Sequence, residues 1–74
     1  MIKQLPKHSY QVIISNIGTV YDDTNKFDAW LTFQDYESDS KNNYGRASNE
    51  TVTMLKNGEI SAEYNPLTRK TKIY

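Results

Sequence analysis

The spacing of apolar and polar residues predicts one helix between segments of extended chain. Residues 10–15 are rich in β-branched and aromatic side chains, which is typical of a strand. Asn16, Ile17 and Gly18 form a break, where Gly18 supplies a bulge or a positive φ. Residues 19–21 then either continue the first strand past a bulge or form a short second strand.

The stretch 24–45 predicts the helix. Asn25 followed by Asp28 three residues later resembles a capping box, with aspartate in place of the usual glutamate. We expect the helix to run to about Asn43. Gly45 then suits the left-handed position just past the helix end.

The second half of the chain predicts a hairpin. Residues 51–56 and 59–64 are strand-like, and the Asn57-Gly58 pair between them favours a type I′ turn. Alternation in the return strand places Ile60 and Ala62 on one side together with Tyr64. Pro66 ends that strand.

The predicted fold is a single α+β domain spanning residues 1–74. One amphipathic helix packs on a small antiparallel sheet of three to four strands, in the order β-(β)-α-β-β. Mobility is left open for residues 1–8 and 67–74. The β-branched and aromatic residues near the C-terminus favour a further edge strand there.

The apolar surface of the helix is wider than one small sheet covers. At about 100° per residue, two apolar stripes merge into an arc of roughly 200°, whereas a helix on a single sheet buries a little over 100°. The first stripe comprises Ala29, Phe33, Tyr36 and Ser40. The second comprises Phe27, Trp30 and Leu31. We assign Ala29, Phe33 and Tyr36 of this stripe to the core, because the small side chain of Ala29 allows close approach to a sheet.

The second stripe leaves two alternatives. Either the N-terminal residues or the tail fold over it, or it binds a partner protein or a second copy of the chain. A rim of carboxylates follows the same helix at Asp28, Asp35 and Asp39. This acidic face is either simply solvated or it imitates the phosphates of DNA.

Charge is separated along the chain although the net charge is zero. Residues 22–39 hold six acidic residues and one lysine, whereas residues 67–74 hold three basic residues and no acid. This layout lacks the broad basic face of a general nucleic-acid-binding protein. The chain has 74 residues and no cysteine, so its core is thin and no disulfide staples it.

Catalytic and metal-binding patterns are missing from the sequence. The one histidine, His8, lies in the N-terminal segment without a nucleophile beside it. Asp22 and Asp23 with Asp28 lack the spacing of a calcium loop. We therefore expect no enzymatic activity, no cofactor, no metal and no small-molecule substrate.

The loop after the helix offers an alternative function. Tyr44 and Arg46 combine an aromatic ring with a guanidinium group, which can stack on a base and pair with a phosphate. Together with the basic tail, they predict a nucleic-acid-binding surface made of Tyr44, Arg46, Arg69, Lys70 and Lys72. The competing structural interpretation is that Tyr44 and Gly45 stop the helix and that Arg46 pairs with Glu50 or a helix C-terminal carbonyl.

Hydropathy favours a cytoplasmic protein. The first residues lack the long apolar core of a signal peptide. No apolar run exceeds three residues, and one such as Val12-Ile13-Ile14 is far too short to cross a bilayer. No membrane association is expected.

Over roughly residues 10–64 the chain resembles a type of short, uncharacterised protein of bacteriophages and prophages. The resemblance rests on three segments, Asn16-Ile17-Gly18-Thr19-Val20-Tyr21, Tyr44-Gly45-Arg46-Ala47-Ser48 with Glu50, and Val52-Thr53-Met54-Leu55-Lys56-Asn57-Gly58-Glu59-Ile60. The pattern includes Ala29, Phe33 and Tyr36 of the helix and lacks the second stripe and the basic tail. It implies a small accessory protein inside a bacterial host, and it carries no assigned activity.

These observations together predict a non-enzymatic protein-interaction module that binds a host protein or itself. Phe27, Trp30 and Leu31 are its expected anchors, and Asp28, Asp35 and Asp39 form its rim. Large aromatic residues are common anchors of protein interfaces. The alternative is the nucleic-acid-binding surface described above.

Overall fold

A computed structural model describes residues 8–74 of the chain. Within these residues the elements are β1 (Tyr10–Ile14), β2 (Gly18–Asp23), α1 (Lys26–Lys41), a 3₁₀ turn (Gly45–Ala47), β3 (Val52–Lys56), β4 (Glu59–Asn65) and β5 (Lys70–Ile73). The possible mobility of residues 1–7, which the sequence left open, concerns residues outside the described part of the chain.

The strands form one antiparallel sheet in the order β2-β1-β3-β4-β5. This arrangement confirms the α+β class, but in the described residues the sheet has five strands, not three or four. The additional strands come from the two places where the sequence left alternatives. The chain after Gly18 folds back as a separate strand, and the C-terminal residues pair with β4.

The helix covers one face of the sheet and contacts β1, β2 and β3. Ala29 and Phe33 are fully buried in the core, and Tyr36 packs against it, half-buried. The first stripe therefore faces inward, as predicted. The 3₁₀ turn contributes Ala47 to the core, and the strands contribute the rest, namely Tyr10, Val12, Ile14, Val52, Met54, Ala62 and Tyr64.

The helix begins where the capping residues predict and ends slightly early. The N–H of Asp28 donates to Asn25 Oδ1 at 3.0 Å. At the other end the helix stops at Lys41, and Asn43, with φ of 53°, takes the left-handed position that we expected for Gly45. Asparagine tolerates this conformation because its short polar side chain bonds locally. Gly45, with φ of 68°, instead opens the 3₁₀ turn.

Two bulges set which side chains reach the core. In β2, the register passes from Val12↔Tyr21 to Ile13↔Thr19, which leaves Val20 as the extra residue. In β4, it passes from Met54↔Ala62 to Leu55↔Ile60, which leaves Ser61 as the extra residue. The prediction that Ile60 shares a face with Ala62 is therefore wrong. The bulge turns Ile60 to the side of Leu55, away from the helix, where it is exposed.

The β3–β4 hairpin turns at Asn57 and Gly58, whose φ angles are 53° and 83°. Both values are positive, as the predicted type I′ turn requires. Asn57 also fixes the entry into β1, because its backbone N–H donates to Ser9 O at 2.7 Å and its Oδ1 accepts from Ser9 N–H at 2.9 Å. The hairpin turn and the start of β1 thus lie at the same end of the sheet as the helix N-terminus.

Candidate protein-interaction surface

The structure divides the second stripe of the helix into two parts. Phe27 and Leu31, one helical turn apart, are 68% and 44% exposed. We call these two residues the outer patch. Trp30 turns from the outer patch toward the sheet and packs, half-buried, against the core. Within residues 8–74 no segment covers the outer patch.

Trp30 is held in place by an aromatic partner. Its indole stacks on the ring of Phe33, with centroids 5.4 Å apart and planes 12° apart. Because Phe33 is fully buried, one face of the indole is fixed against the core. Trp30 is thus partly structural, and its role as an anchor for a partner stays a prediction.

Beside Trp30 lies a shallow groove of about 470 Å³, which we call the Trp30 groove. The helix contacts mainly the central strands, so this groove opens over the part of the sheet nearer β5. Its lining is Tyr10, Lys26, Trp30, Met54, Lys56, Ser61, Ile73 and Tyr74. Ile73 and Tyr74 are 63% and 65% exposed and supply apolar surface at its outer side.

Charge differs between the two flanks of the outer patch. Asp28 and Asp35 are exposed and Asp39 is half-buried, and all three lie on the flank away from the Trp30 groove. Lys26 and Lys56 line the groove on the other flank. Within residues 8–74 the only ion pair joins Lys41 to Glu37, so neither groove lysine is paired with a described carboxylate. The surface can therefore receive apolar side chains between an acidic and a basic flank.

Tyr21 ties the start of the helix to β2. Its hydroxyl donates to Asn25 O at 3.0 Å. Partial burial raises the pKa of the Tyr21 hydroxyl, and the nearby carboxylates of Asp23 and Asp28 raise it further. The protonated hydroxyl is thus the form that the folded protein favours.

The residues of the predicted nucleic-acid surface lie at the opposite end of the molecule and are only partly brought together. Tyr44 is 71% exposed, and Arg46 is exposed beside the β1–β2 turn, where its carbonyl accepts from Asn16 at 2.8 Å. Arg69 reaches the other side of the helix end, where its guanidinium donates to Lys41 O at 3.4 Å. Lys70 begins β5 at the same end, and Lys72 lies further along that strand.

The expected pairing of Arg46 is wrong for the described residues. Glu50 instead accepts from the Ser15 hydroxyl at 2.6 Å, and the guanidinium that reaches a helix C-terminal carbonyl is that of Arg69. Arg69 and Lys41 lie 28 residues apart in the sequence, so no local pattern predicted this contact.

The chain has no significant match to any known protein family, curated protein or solved structure. Within residues 8–74 no group of three or more His, Cys, Asp or Glu side chains is placed to hold a metal ion. The helix in this part of the chain is neither long enough nor apolar enough to cross a membrane.

Sequence reasoning missed two parts of the surface. The groove lysines, Lys26 and Lys56, lie 30 positions apart in the printed sequence. Lys26 begins the helix and Lys56 ends β3, and only the pairing of β1 with both of its neighbours brings the end of β3 near the helix N-terminus. Ile73 and Tyr74 were expected in an edge strand. Their position beside Trp30 depends on the register of β5, which the sequence pattern alone does not fix.

Proposed function

We propose that this chain is a non-enzymatic protein-interaction module that binds a host protein through the outer patch and the adjacent Trp30 groove. The observation that carries the proposal is the exposure of Phe27 and Leu31 on the helix of a domain with a thin core. Exposed apolar surface of this kind, with aromatic groups close by, is typical of binding sites. In keeping with the phage-protein resemblance, we place its action in the cytoplasm of a bacterial host, as an accessory protein that inhibits or modulates its partner.

The charges favour a partner with a basic rim. Asp28, Asp35 and Asp39 form an acidic flank that complements Lys or Arg residues around an apolar anchor. A second copy of the chain fits less well. Two-fold pairing with antiparallel helices places the two acidic flanks against each other, and pairing with parallel helices aligns the two helix dipoles side by side.

Two leucine substitutions test the proposal with a matched control. Leu31→Ser removes an apolar side chain from the outer patch, whereas Leu67→Ser makes the same change at a side chain that is 90% exposed elsewhere. Proteins captured from bacterial lysate by the unchanged chain are purified, and their affinity for each variant is measured by titration calorimetry. We expect Leu31→Ser and Phe27→Ser to weaken binding by ~2 kcal/mol or more, with Leu67→Ser unchanged.

Three results would contradict the proposal. The first is a purified partner that binds Leu31→Ser as tightly as Leu67→Ser. The second is affinity that falls steeply with salt and is the same for Leu31→Ser as for the unchanged chain, since binding would then depend on charge contacts without apolar burial at the outer patch. The third is a concentration-dependent dimer in sedimentation that Leu31→Ser abolishes, which would make the outer patch a self-association site.

The alternative function, nucleic-acid binding, is favoured by one observation. Tyr44 and Arg46 are exposed at the same end of the sheet as Arg69 and Lys70. If this surface binds single-stranded nucleic acid, Tyr44→Ala and Arg46→Ala reduce affinity for a labelled oligonucleotide, and raising the salt concentration reduces it further. Unchanged affinity in both variants would exclude this role for the loop.

A further inference from the structure

β5 forms an open edge of the sheet. It pairs with β4 on one side, and within residues 8–74 no strand pairs with its other side. Its register with β4 contains no bulge, from Ala62↔Ile73 to Asn65↔Lys70. A regular, unpaired edge is the feature to which an extended segment adds as a further strand.

The hydrogen bonds show which backbone groups face outward. Tyr74 N–H donates to Ser61 O at 3.0 Å, so the backbone of Tyr74 points toward β4. Because backbone direction alternates along an antiparallel strand, Lys72 and Lys70 also point toward β4. The N–H and C=O groups of Thr71 and Ile73 consequently point away from the sheet, where an added strand would meet them.

The side chains of β5 divide by charge between the two faces of the sheet. Thr71 and Ile73 share the helix face with their buried partners Tyr64 and Ala62, and the Thr71 hydroxyl bonds to the carboxylate of Glu37 on the helix. Ile73 is also part of the lining of the Trp30 groove. On the helix side, this edge is therefore polar at Thr71 and apolar at Ile73.

The opposite face of β5 is basic. Lys70 and Lys72 lie there, beside a second shallow groove of about 400 Å³. Glu63 is opposite Lys72, but its carboxylate accepts from the Thr53 hydroxyl at 3.4 Å, on the side away from β5. Neither lysine is ion-paired with a carboxylate in the part of the chain that the structure describes.

The other edge of the sheet, β2, differs from β5 in the regularity of its register and in the sign of its charge. β2 carries the bulge at Val20, and bulges of this kind protect edges from pairing. It also carries Asp22 and Asp23, which are exposed. The bulge therefore disfavours strand addition at β2, whereas the regular edge of β5, with its two lysines, favours an acidic segment over a basic one.

We propose that the β5 edge binds an extended acidic peptide segment, which pairs with the backbone of Thr71 and Ile73 as a sixth, antiparallel strand. Its alternate residues are apolar, facing Ile73 and the Trp30 groove, and acidic, facing Lys70 and Lys72. Charge complementarity selects this occupant, since lysines on a sheet edge repel basic segments and pair with carboxylates across the added strand. The inference concerns the sheet edge and stands whether or not the outer patch binds a protein.

The test uses a fluorescein-labelled peptide of alternating glutamate and valine, with binding followed by fluorescence anisotropy on the full chain. A lysine–valine peptide is the charge control. Two further peptides carry N-methyl groups on the valines or on the glutamates. The valines lie opposite Thr71 and Ile73, so methylating them removes the donors that the pairing needs, whereas methylating the glutamates spares those donors.

Protein variants provide a second, independent set of controls. Ile73→Pro removes an outward N–H without breaking a bond to β4, and Ile73→Ala keeps that N–H while shortening the side chain. We expect Ile73→Pro to abolish binding and Ile73→Ala only to weaken it. Lys70→Gln and Lys72→Gln should each weaken binding about two- to fivefold, with Arg46→Gln, an equal change of charge at an exposed site elsewhere, having no effect.

Amide hydrogen exchange reports the position of the peptide. Slower exchange of Thr71 and Ile73 on adding the glutamate–valine peptide supports the proposal. It is overturned if this peptide does not bind, if both N-methylated forms bind equally, or if Ile73→Pro binds like Ile73→Ala. Self-association of the chain that is lost in Asp22→Asn would also overturn it, because β2 of a second copy would then occupy the edge.

Discussion

The indole ring of Trp30 lies parallel to the buried ring of Phe33, 5.4 Å from it between centroids. This relationship links the core of the domain to its surface. One face of the indole contacts a core residue, and the residue also lines the groove beside the helix. Trp30 therefore contributes to stability as well as to the shape of the proposed binding surface.

Substitutions at Trp30 and Phe27 separate the contribution to stability from the contribution to the binding surface. Trp30→Ala should lower the free energy of unfolding by about 2 kcal/mol, roughly half the cost of truncating a fully buried aromatic residue, because Trp30 is only half-buried against the core. Phe27→Ala should change it by less than about 0.5 kcal/mol, since Phe27 is exposed. Urea unfolding followed by circular dichroism measures both values. Equal losses in the two variants would show that Phe27 is also packed.

Ser40 is the one buried polar residue in the described core, and it holds the helix end to the chain before β3. Its hydroxyl donates to Glu50 O at 2.7 Å. Ser40→Ala should cost about 1–3 kcal/mol, because the Glu50 carbonyl loses its buried partner. Ser38→Ala, at an exposed position on the same helix, serves as the control in the same unfolding measurement. A Ser40→Ala protein as stable as its control would contradict the assignment.

The hairpin turn depends on Gly58. Its φ of 83° lies in the left-handed region, where a Cβ costs roughly 1–2 kcal/mol. Gly58→Ala should therefore lower the thermal midpoint, while Glu59→Ala next to it should leave the midpoint nearly unchanged. No atom lies within 4 Å of the Cβ that alanine adds, so the loss would report backbone strain and not a clash.

Stability should fall in alkaline solution partly through Tyr21, whose pKa is raised in the folded protein. The unfolded chain releases this proton near the ordinary value of about 10, whereas the folded protein retains it to higher pH. Between the two pKa values the folded state binds more protons, so the free energy of unfolding decreases as pH rises. Ionisation also removes the hydrogen bond that the hydroxyl donates to Asn25.

Tyr21→Phe tests this account. The variant should be less stable than the unchanged chain at neutral pH, since it lacks the hydrogen bond to Asn25. Above pH of about 10 the difference should shrink, because the unchanged chain alone loses the stabilisation. Urea unfolding across this pH range measures the effect, and parallel curves for the two proteins would contradict it.

Local signals in the sequence predicted most of the fold. The Asn25 cap, the Asn57-Gly58 turn and the inward side of the helix depend on residues a few positions apart, whose preferences act within one element. The number of strands was less certain. Strands at the edge of a sheet are short, and their existence depends on a neighbour that periodicity does not identify.

The candidate site was predicted less well, because it depends on contacts between distant residues. Helical periodicity grouped Trp30 with Phe27 and Leu31, but the position of the helix on the sheet turned Trp30 toward β5. The bulge at Ser61 likewise moved Ile60 to the opposite face, since one extra residue reverses the alternation. The local sequence pattern predicts neither the orientation of Trp30 nor that of Ile60.

By itself, the sequence determined that this chain forms one helix with more apolar surface than a small sheet covers, and that its acidic and basic residues are separated. Short-range preferences for backbone conformation and side-chain burial suffice for both conclusions. Only the tertiary structure decided that the surplus divides into the outer patch and the Trp30 groove, and that the lysines of β5 lie on an open sheet edge. Strand register and helix placement set these positions, and both arise from packing among residues far apart in the chain.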